Sequence, residues 1–520
     1  MKLTTMLEGS VERFPEAEAL VAGDIRLTFA QFQEQSLRAA AYLRKRGVGP
    51  GSRVGIMAYN VPGFAIGAFG VWYLGATLVP LNHKMQAPEV EYTVNHAELD
   101  LGIVSPELLE TAMAGAPDTK WITTDPATGE LDEAIAQHEP LRPDQLPELH
   151  DEDVAQILYT SGTTSAPRGC VHSHRSIAQA ALLIALNLGF DSDDRYLIAM
   201  PLWHSAPLNI CFMPMIAVGG TTVLHREYHP VETMKLIQSE RTTTFFGPPI
   251  AYLAPMMAAK QLEQDFSSAY DFSSMRRWLY GGAPTDAGTL RRLISGYESE
   301  NFYNVFGMSE MGPTGCFLRP EDQLRKAGSI GRAAMIGNRM RVVDADGRDA
   351  GPGQTGEVWF AGDTRMREYL NDPQATAAVF EGDWYRTGDV ARIDEDGFLY
   401  IVDRLKDVII VGGENVYSLE VEEAISSHPR VADVAVVGRP DPDWGEQIVA
   451  FVTTSDGEEL GTEDLRDHLA GSLARYKIPR EVVIAEALPR NPSGKLLKHV
   501  LRSQVSEDPG AKDQVTDTTD

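Results

Sequence analysis

The stretch ILYTSGTTSAPRGCVHSH (157–174) follows a short apolar run with five hydroxyl residues (Thr160, Ser161, Thr163, Thr164, Ser165), two glycines and two histidines. Backbone N–H groups and Ser/Thr hydroxyls can line an oxyanion without adding fixed charge, and Arg168 supplies one cation. Gly162 and Gly169 permit close backbone approach. The common phosphate-loop pattern G-x-x-x-x-G-K-[ST] is absent, because Pro167 stands where its second glycine would be. Read alone, the segment is either a loop wrapped around a phosphate chain or a plain turn.

Its surroundings indicate an α/β protein. RVGIMAY (53–59), AQILYT (155–160) and TTTFFGPP (242–249) are short β-rich runs alternating with apolar helical patterns, as expected of parallel strands covered by helices. SLRAAAYLRKRG (36–47) reads as a helix with basic residues in its last turn and Gly47 as its stop. FAIGAFGVWYLGATLVPL (64–81) lies in a stretch without Asp, Glu, Lys or Arg. It is close to the shortest membrane span, but its Gly/Ala content and Pro80 favour a buried helix running into a buried strand.

From about residue 340 the texture changes to β-rich runs around Asp-Gly turns, RMRVVDADGRDAGPGQTGEVWF and ARIDEDGFLYIVDR. Helix, strand, strand and helix patterns follow, enough for a small α+β domain. The segment 504–520, polar, acidic and without aromatics, reads as a disordered tail.

The 520 residues carry 43% hydrophobic and 23% charged side chains, ordinary for a soluble globular enzyme, with a formal net charge of -28. That charge opposes encounter with nucleic acid or an anionic membrane. Three scattered cysteines, Cys170, Cys211 and Cys316, fit a reducing compartment, and no nearby base marks Cys170 as a nucleophile. No signal-peptide pattern opens the sequence, so the expected location is cytoplasmic.

Four further segments occur in order after the loop: YGGAPTD (280–286), YNVFGMSEMGP (303–313), YRTGDVARIDEDGFLYIVDRLKDVIIVGGENVYSLEVE (385–422) and LPRNPSGKLLK (488–498). Together with the loop they closely resemble the signature set of the adenylate-forming superfamily: acyl-CoA synthetases, adenylation domains of peptide synthetases, and firefly luciferase. The resemblance runs from about residue 10 to 503. Ser165 and Arg168 stand where the family loop has glycine and lysine, and Phe306 and Ser309 where it has tyrosine and threonine.

What the resemblance implies is a large N-terminal adenylation domain (1–403) of helix-covered sheets plus a β-rich subdomain. A small mobile α+β C-terminal domain (404–503) would follow, hinged near Lys406. The family reaction has two halves. A carboxylate attacks the α-phosphate of Mg-ATP, and a thiol or amine then expels AMP from the acyl-adenylate. The first half brings two anions together, so the site must supply positive charge and alignment.

By the same resemblance Lys495 bridges the carboxylate and the α-phosphate, and Glu310, with Thr164, serves the magnesium ion. Thr160, Ser161, Gly162, Thr163, Thr164 and Arg168 hold the phosphates that leave as pyrophosphate. Gly282, Ala283, Pro284, Asn304, Val305, Phe306, Gly307 and Ser309 surround the nucleotide, with Phe306 against adenine. Asp389 reads the ribose and Arg404 assists; in isolation these two would be a surface ion pair. His204, in PLWHSAPLN (201–209), flanks the substrate carboxylate, whereas His172 and His174 are structural. The acyl pocket draws on Trp203, Asn209, Phe246, Gly247, Gly281, Gly282 and Met308, an apolar lining for a fatty or aryl acid. Gly412, Gly413, Glu414 and Trp444 form the acceptor face. DPDWGEQIVAFV (441–452) and ARYKIPR (474–480) resemble acyl-CoA synthetases more than luciferases, so the expected acceptor is CoA, with an amine or a carrier protein as the alternative. A homodimer is compatible with everything above.

Overall fold

The computed structural model describes residues 1–160, 167–283, 285–454, 460–470, 472–490 and 496–506. Two helix-covered sheets carry the first part of the chain. One has seven strands, and four of them, Arg53–Met57, Thr77–Pro80, Leu101–Val104 and Lys120–Thr123, run parallel to one another. Strand Val154–Thr160 joins them in parallel through Leu78, then turns back antiparallel into Arg168–Ser173. The other sheet has eight strands, six parallel ones flanked by antiparallel edges, Ile25–Thr28 at one side and Gly315–Leu318 at the other.

Local sequence explains the elements. Helix Phe29–Lys45 starts at a Thr28 capping box and ends on Arg44 and Lys45, which favour the negative end of the helix dipole. The uncharged stretch becomes helix Pro62–Tyr73, buried at all twelve positions, followed by the buried strand Thr77–Pro80. Its lack of polar residues reflects burial on every side. Among the described residues no helix is long and apolar enough to cross a membrane.

The Asp-Gly segments form an antiparallel sheet of strands Arg339–Val343, Thr355–Ala361, Phe380–Glu381, Trp384–Ile393 and Leu399–Arg404. A last sheet contains Ile409–Val411, Glu414–Val416, Val431–Asp441, Gly445–Thr454 and Glu481–Ile484. Helices Ser418–Ser426 and Thr462–Leu469 add their apolar residues to its core. The architecture is therefore α/β with a β-rich part and a C-terminal α+β part, as the sequence predicts.

Candidate active site

Strands Val154–Thr160 and Arg168–Ser173 form an antiparallel hairpin. Thr160 pairs with Arg168 across the hairpin. Ser161, Gly162, Thr163, Thr164 and Ser165 lie outside the described residues, as do Pro284 and Lys495. The mouth of the hairpin is held from outside: the Tyr92 hydroxyl donates to the Pro167 carbonyl at 3.0 Å. Arg168 lies half-exposed beside it, its guanidinium 5.3 Å from the centre of the Tyr369 ring and 3.7 Å from Asp372.

Tyr369 connects two of the expected site residues. Strand Glu368–Tyr369 pairs with the returning hairpin strand, Tyr369 opposite Cys170. Its ring lies under Arg168, and its hydroxyl donates to Glu310 Oε1 at 2.9 Å. Glu310 sits on a 3-10 turn (Ser309–Met311) after strand Phe302–Gly307, and its backbone carbonyl accepts from the Met366 N–H at 2.7 Å. No hydrogen bond among the described residues reaches its other carboxylate oxygen. Among those residues no group of three or more His, Cys, Asp or Glu gathers to cage an ion. A carboxylate with one oxygen accepting no hydrogen bond from the described residues suits a hard cation.

Ser309 is gripped from two sides. His172, fully buried on the hairpin strand, reaches the Ser309 carbonyl with Nε2 at 2.7 Å, and Ser205 Oγ meets Ser309 Oγ at 2.8 Å. A carbonyl only accepts, so Nε2 carries the proton and Nδ1 accepts from Ser176 Oγ at 3.3 Å. Burial lowers the His172 pKa to about 4, so the ring is neutral. His172 is thus structural, as read from the sequence, but what it braces is the turn carrying Glu310. His174 accepts from the Leu3 N–H at 3.4 Å and lies away from these contacts.

This burial predicts an acid sensitivity. His172 titrates near 6.5 in the unfolded chain and at about 4 when folded. The stability supplied by the neutral ring is therefore complete above pH 6.5 and lost as the pH falls from there toward 4. His172→Gln keeps a donor for Ser309 and should remove about 2 kcal/mol of the stability difference between pH 7 and pH 5. Urea unfolding of wild type and variant at both pH values measures it.

Asp389 and Arg404 stand opposite each other in register, with Arg404 Nε 2.7 Å from Asp389 Oδ1. Asp389 is almost entirely buried (side-chain exposure 7%) whereas Arg404 is at 42%, so this is no pair of freely solvated surface charges. Asn304 is buried and donates its amide to the Ser329 carbonyl at 2.9 Å; Val305 is buried beside it. Phe306 and Met308 are half-buried against the core of the β-rich part, with Phe306 6.4 Å from the Phe360 ring. Gly281 lacks a side chain for a steric reason, since a Cβ there would stand 2.3 Å from the Val305 carbonyl oxygen. Gly307 is barred in the same way by Pro313, and Gly282 takes a φ of +80°. Gly247 is buried, Phe246 half-buried, and Ala283 follows strand Arg277–Gly281.

The His204 side chain is exposed, accepts from the Ala206 N–H at 3.3 Å, and has its pKa lowered by the surrounding protein. Trp203 donates from Nε1 to His83 Nδ1 at 3.1 Å. Asn209 is one of the residues expected in the acyl pocket. It is fully buried in a π-helical segment (Pro207–Phe212), and its amide exchanges two 3.0 Å hydrogen bonds with the equally buried Gln156. Each amide keeps one N–H and one oxygen lone pair beyond this exchange. Cys170, Cys211 and Cys316 are buried, and burial pushes all three thiols up.

In the C-terminal part, Gly412 and Gly413 take left-handed φ values of 61° and 88°, which turn the chain between Ile409–Val411 and Glu414–Val416. The Gly412 N–H donates to the Trp444 carbonyl at 2.7 Å, and the exposed Trp444 ring lies under Arg480 at 4.8 Å. Gly412, Gly413, Glu414 and Trp444 are thus brought together. Lys406 is exposed on a single 3-10 turn (Leu405–Asp407) joining the last strand of the β-rich sheet to the C-terminal part. Sequence reasoning missed Tyr369, Ser205, Gln156 and the task of His172, all of which act through contacts distant in sequence.

Comparison with known proteins places this geometry. A family model described as AMP-binding enzyme matches residues 7–370, and one described as AMP-binding enzyme C-terminal domain matches 420–495. The chain is 36% identical over 488 residues to a feruloyl-CoA synthase of Amycolatopsis sp, covering 94% of this chain and 96% of that protein. It is 36% identical over 504 residues to the long-chain-fatty-acid–CoA ligase FadD13 of Mycobacterium tuberculosis, covering 95% and 96%. Among solved structures, ATP-bound MatB from Rhodopseudomonas palustris superposes with a TM-score of 0.86 at 26% identity, covering 98% of this chain and 99% of that one. The apo form of MatB, at the same identity and coverage, gives 0.76.

Proposed function

The chain belongs to the AMP-binding enzyme family, and from that premise we infer an AMP-forming carboxylate–CoA ligase acting on a fatty or aryl acid. The observation that carries the reading is one buried hub: Tyr369 ties the phosphate-side cation Arg168 to Glu310. ATP and CoA are the co-substrates. With a net charge of -28, the protein must overcome its own field locally to gather three anionic reactants, which is why fixed cations and a divalent ion are needed.

The hydroxyl-rich loop and Arg168 hold the β- and γ-phosphates. Magnesium, when bound, would supply charge neutralisation, and Glu310 and Thr164 are the residues that would hold it. Asp389 accepts from the ribose hydroxyls while Arg404 keeps its carboxylate oriented. Lys495 has the role of supplying the positive charge that lowers the cost of bringing the carboxylate and the α-phosphate together. His204 flanks that carboxylate. The unit beyond residue 403 pivots near Lys406 between the two half-reactions, withdrawing Lys495 and presenting the Gly412–Glu414 turn and Trp444 to CoA.

The acid is a fatty or aryl one, because the residues that the family resemblance assigns to the acyl pocket, Trp203, Phe246, Gly247, Gly281 and Met308, are apolar. The test is pyrophosphate release from ATP across hydroxycinnamates, benzoates and medium- and long-chain fatty acids, with and without CoA. Acid-dependent release with acyl-CoA formation is the expected result. Acid-dependent release without a thioester would move the acceptor to an amine or a carrier protein.

A further inference from the structure

Asp403 belongs by its backbone to the β-rich sheet, pairing with Val390. Its carboxylate, however, faces the C-terminal part. The Ser418 N–H donates to Oδ2, the Ser418 hydroxyl to Oδ1 at 3.1 Å, and the Arg404 N–H to Oδ1 at 2.7 Å. Lys498 Nζ donates to Ser418 Oγ at 2.6 Å and stands 2.7 Å from Glu422 Oε1, which also accepts from the Val436 N–H at 2.7 Å. Asp403 and Ser418 are buried (1% and 0% exposed), and the Lys498 and Glu422 side chains nearly so. Within the C-terminal part, Arg502 pairs with Asp407, the last residue of the Lys406 turn.

These contacts lie on both sides of the one turn that joins the two parts of the chain. Ser418 opens helix Ser418–Ser426 and Lys498 opens helix Lys498–Ser506. Just before Lys498, Arg490 and Leu496 form a bridge and the Leu497 N–H donates to the Pro489 carbonyl at 2.8 Å. Burial raises the carboxyl pKa of Asp403 and of Glu422, against the pull of Lys498. A buried ionic network adds little stability over apolar packing, and its best-attested use is to fix one alignment against others. Removing a partner would leave a buried group unpaired, so any motion separating Asp403 from Ser418 is resisted until water can reach them.

The arrangement seen here superposes better on ATP-bound MatB (TM-score 0.86) than on its apo form (0.76). We propose that it is the adenylate-forming one and that the Asp403–Ser418–Lys498–Glu422 network is a latch across the hinge turn that holds it, so that the first half-reaction depends on the latch and the second does not. These are positioning residues that touch no reactant. The proposal builds on the ligase reading, and its test separates the two.

Asp403→Asn, Ser418→Ala and Lys498→Arg are compared with wild type, using the acid that wild type turns over fastest. Acid-dependent ATP–pyrophosphate exchange reads the first half-reaction; thioester formation from the synthetic acyl-adenylate and CoA reads the second. Hydrogen exchange at the Ser418 amide reads the latch without any substrate. In Asp403→Asn and Ser418→Ala, exchange activity should fall about tenfold or more, thioester formation should stay within about twofold, and the Ser418 amide should lose protection. Lys498→Arg, which keeps the charge, should fall least. Equal loss in both half-reactions, loss in neither, or unchanged Ser418 protection overturns the latch. If Asp403→Asn does not fold, Ser418→Ala decides by the same criteria. A wild type inactive on every acid overturns the ligase reading instead, and Ser418 protection still decides the latch.

Discussion

Lys495→Met is expected to lower acid-dependent ATP–pyrophosphate exchange by about 10²- to 10³-fold, the scale on which one aligned charge or donor acts at a developing anionic centre. The step joins a carboxylate to an α-phosphate, and its transition state gathers negative charge between them. Methionine keeps the length and apolar stem of lysine and removes only the ammonium group, so the effect reports charge rather than packing. Thioester formation from the synthetic acyl-adenylate should persist, because attack of a thiol on the activated carbonyl does not bring two anions together. The two assays on one variant supply the check. An equal fall in both would make Lys495 a structural residue.

Glu310→Gln is expected to lower pyrophosphate release by about 10²-fold and to raise the magnesium concentration needed for half-maximal rate. The amide oxygen can still accept from the Tyr369 hydroxyl, and the backbone bond from Met366 to the residue 310 carbonyl is untouched. What is lost is the negative charge that a divalent ion requires of its protein ligand. A magnesium titration of initial rates separates the two effects. An unchanged magnesium dependence, with a lower rate, would leave Glu310 a brace for the neighbouring turn.

The fold was legible wherever local chemistry dictates local geometry. The Asp-Gly turns between β-rich runs became antiparallel hairpins, because those residues accept the turn backbone. The uncharged run became a helix buried on every face, then a buried strand, since 520 residues suffice to cover both. The site was legible as motifs: Asp389 and Arg404, 15 residues apart, meet in register on adjacent strands. The bracing of the site was not. His172 meets Ser309 across 137 positions, Gln156 meets Asn209 across 53, and Tyr369 meets Glu310 across 59. No periodicity records such pairings, which exist only once both sheets have formed. Asn209 shows the consequence: its amide partner, Gln156, is one that no local pattern could name.

The central claim is that this protein activates a carboxylic acid as its adenylate. Its most direct measurement follows the carboxylate oxygens of an ¹⁸O-labelled acid through turnover with ATP and CoA. Attack on the α-phosphorus followed by expulsion of AMP must leave one labelled oxygen on AMP and none on pyrophosphate. Label in orthophosphate, as from an acyl phosphate, or no label in any nucleotide product would contradict the account.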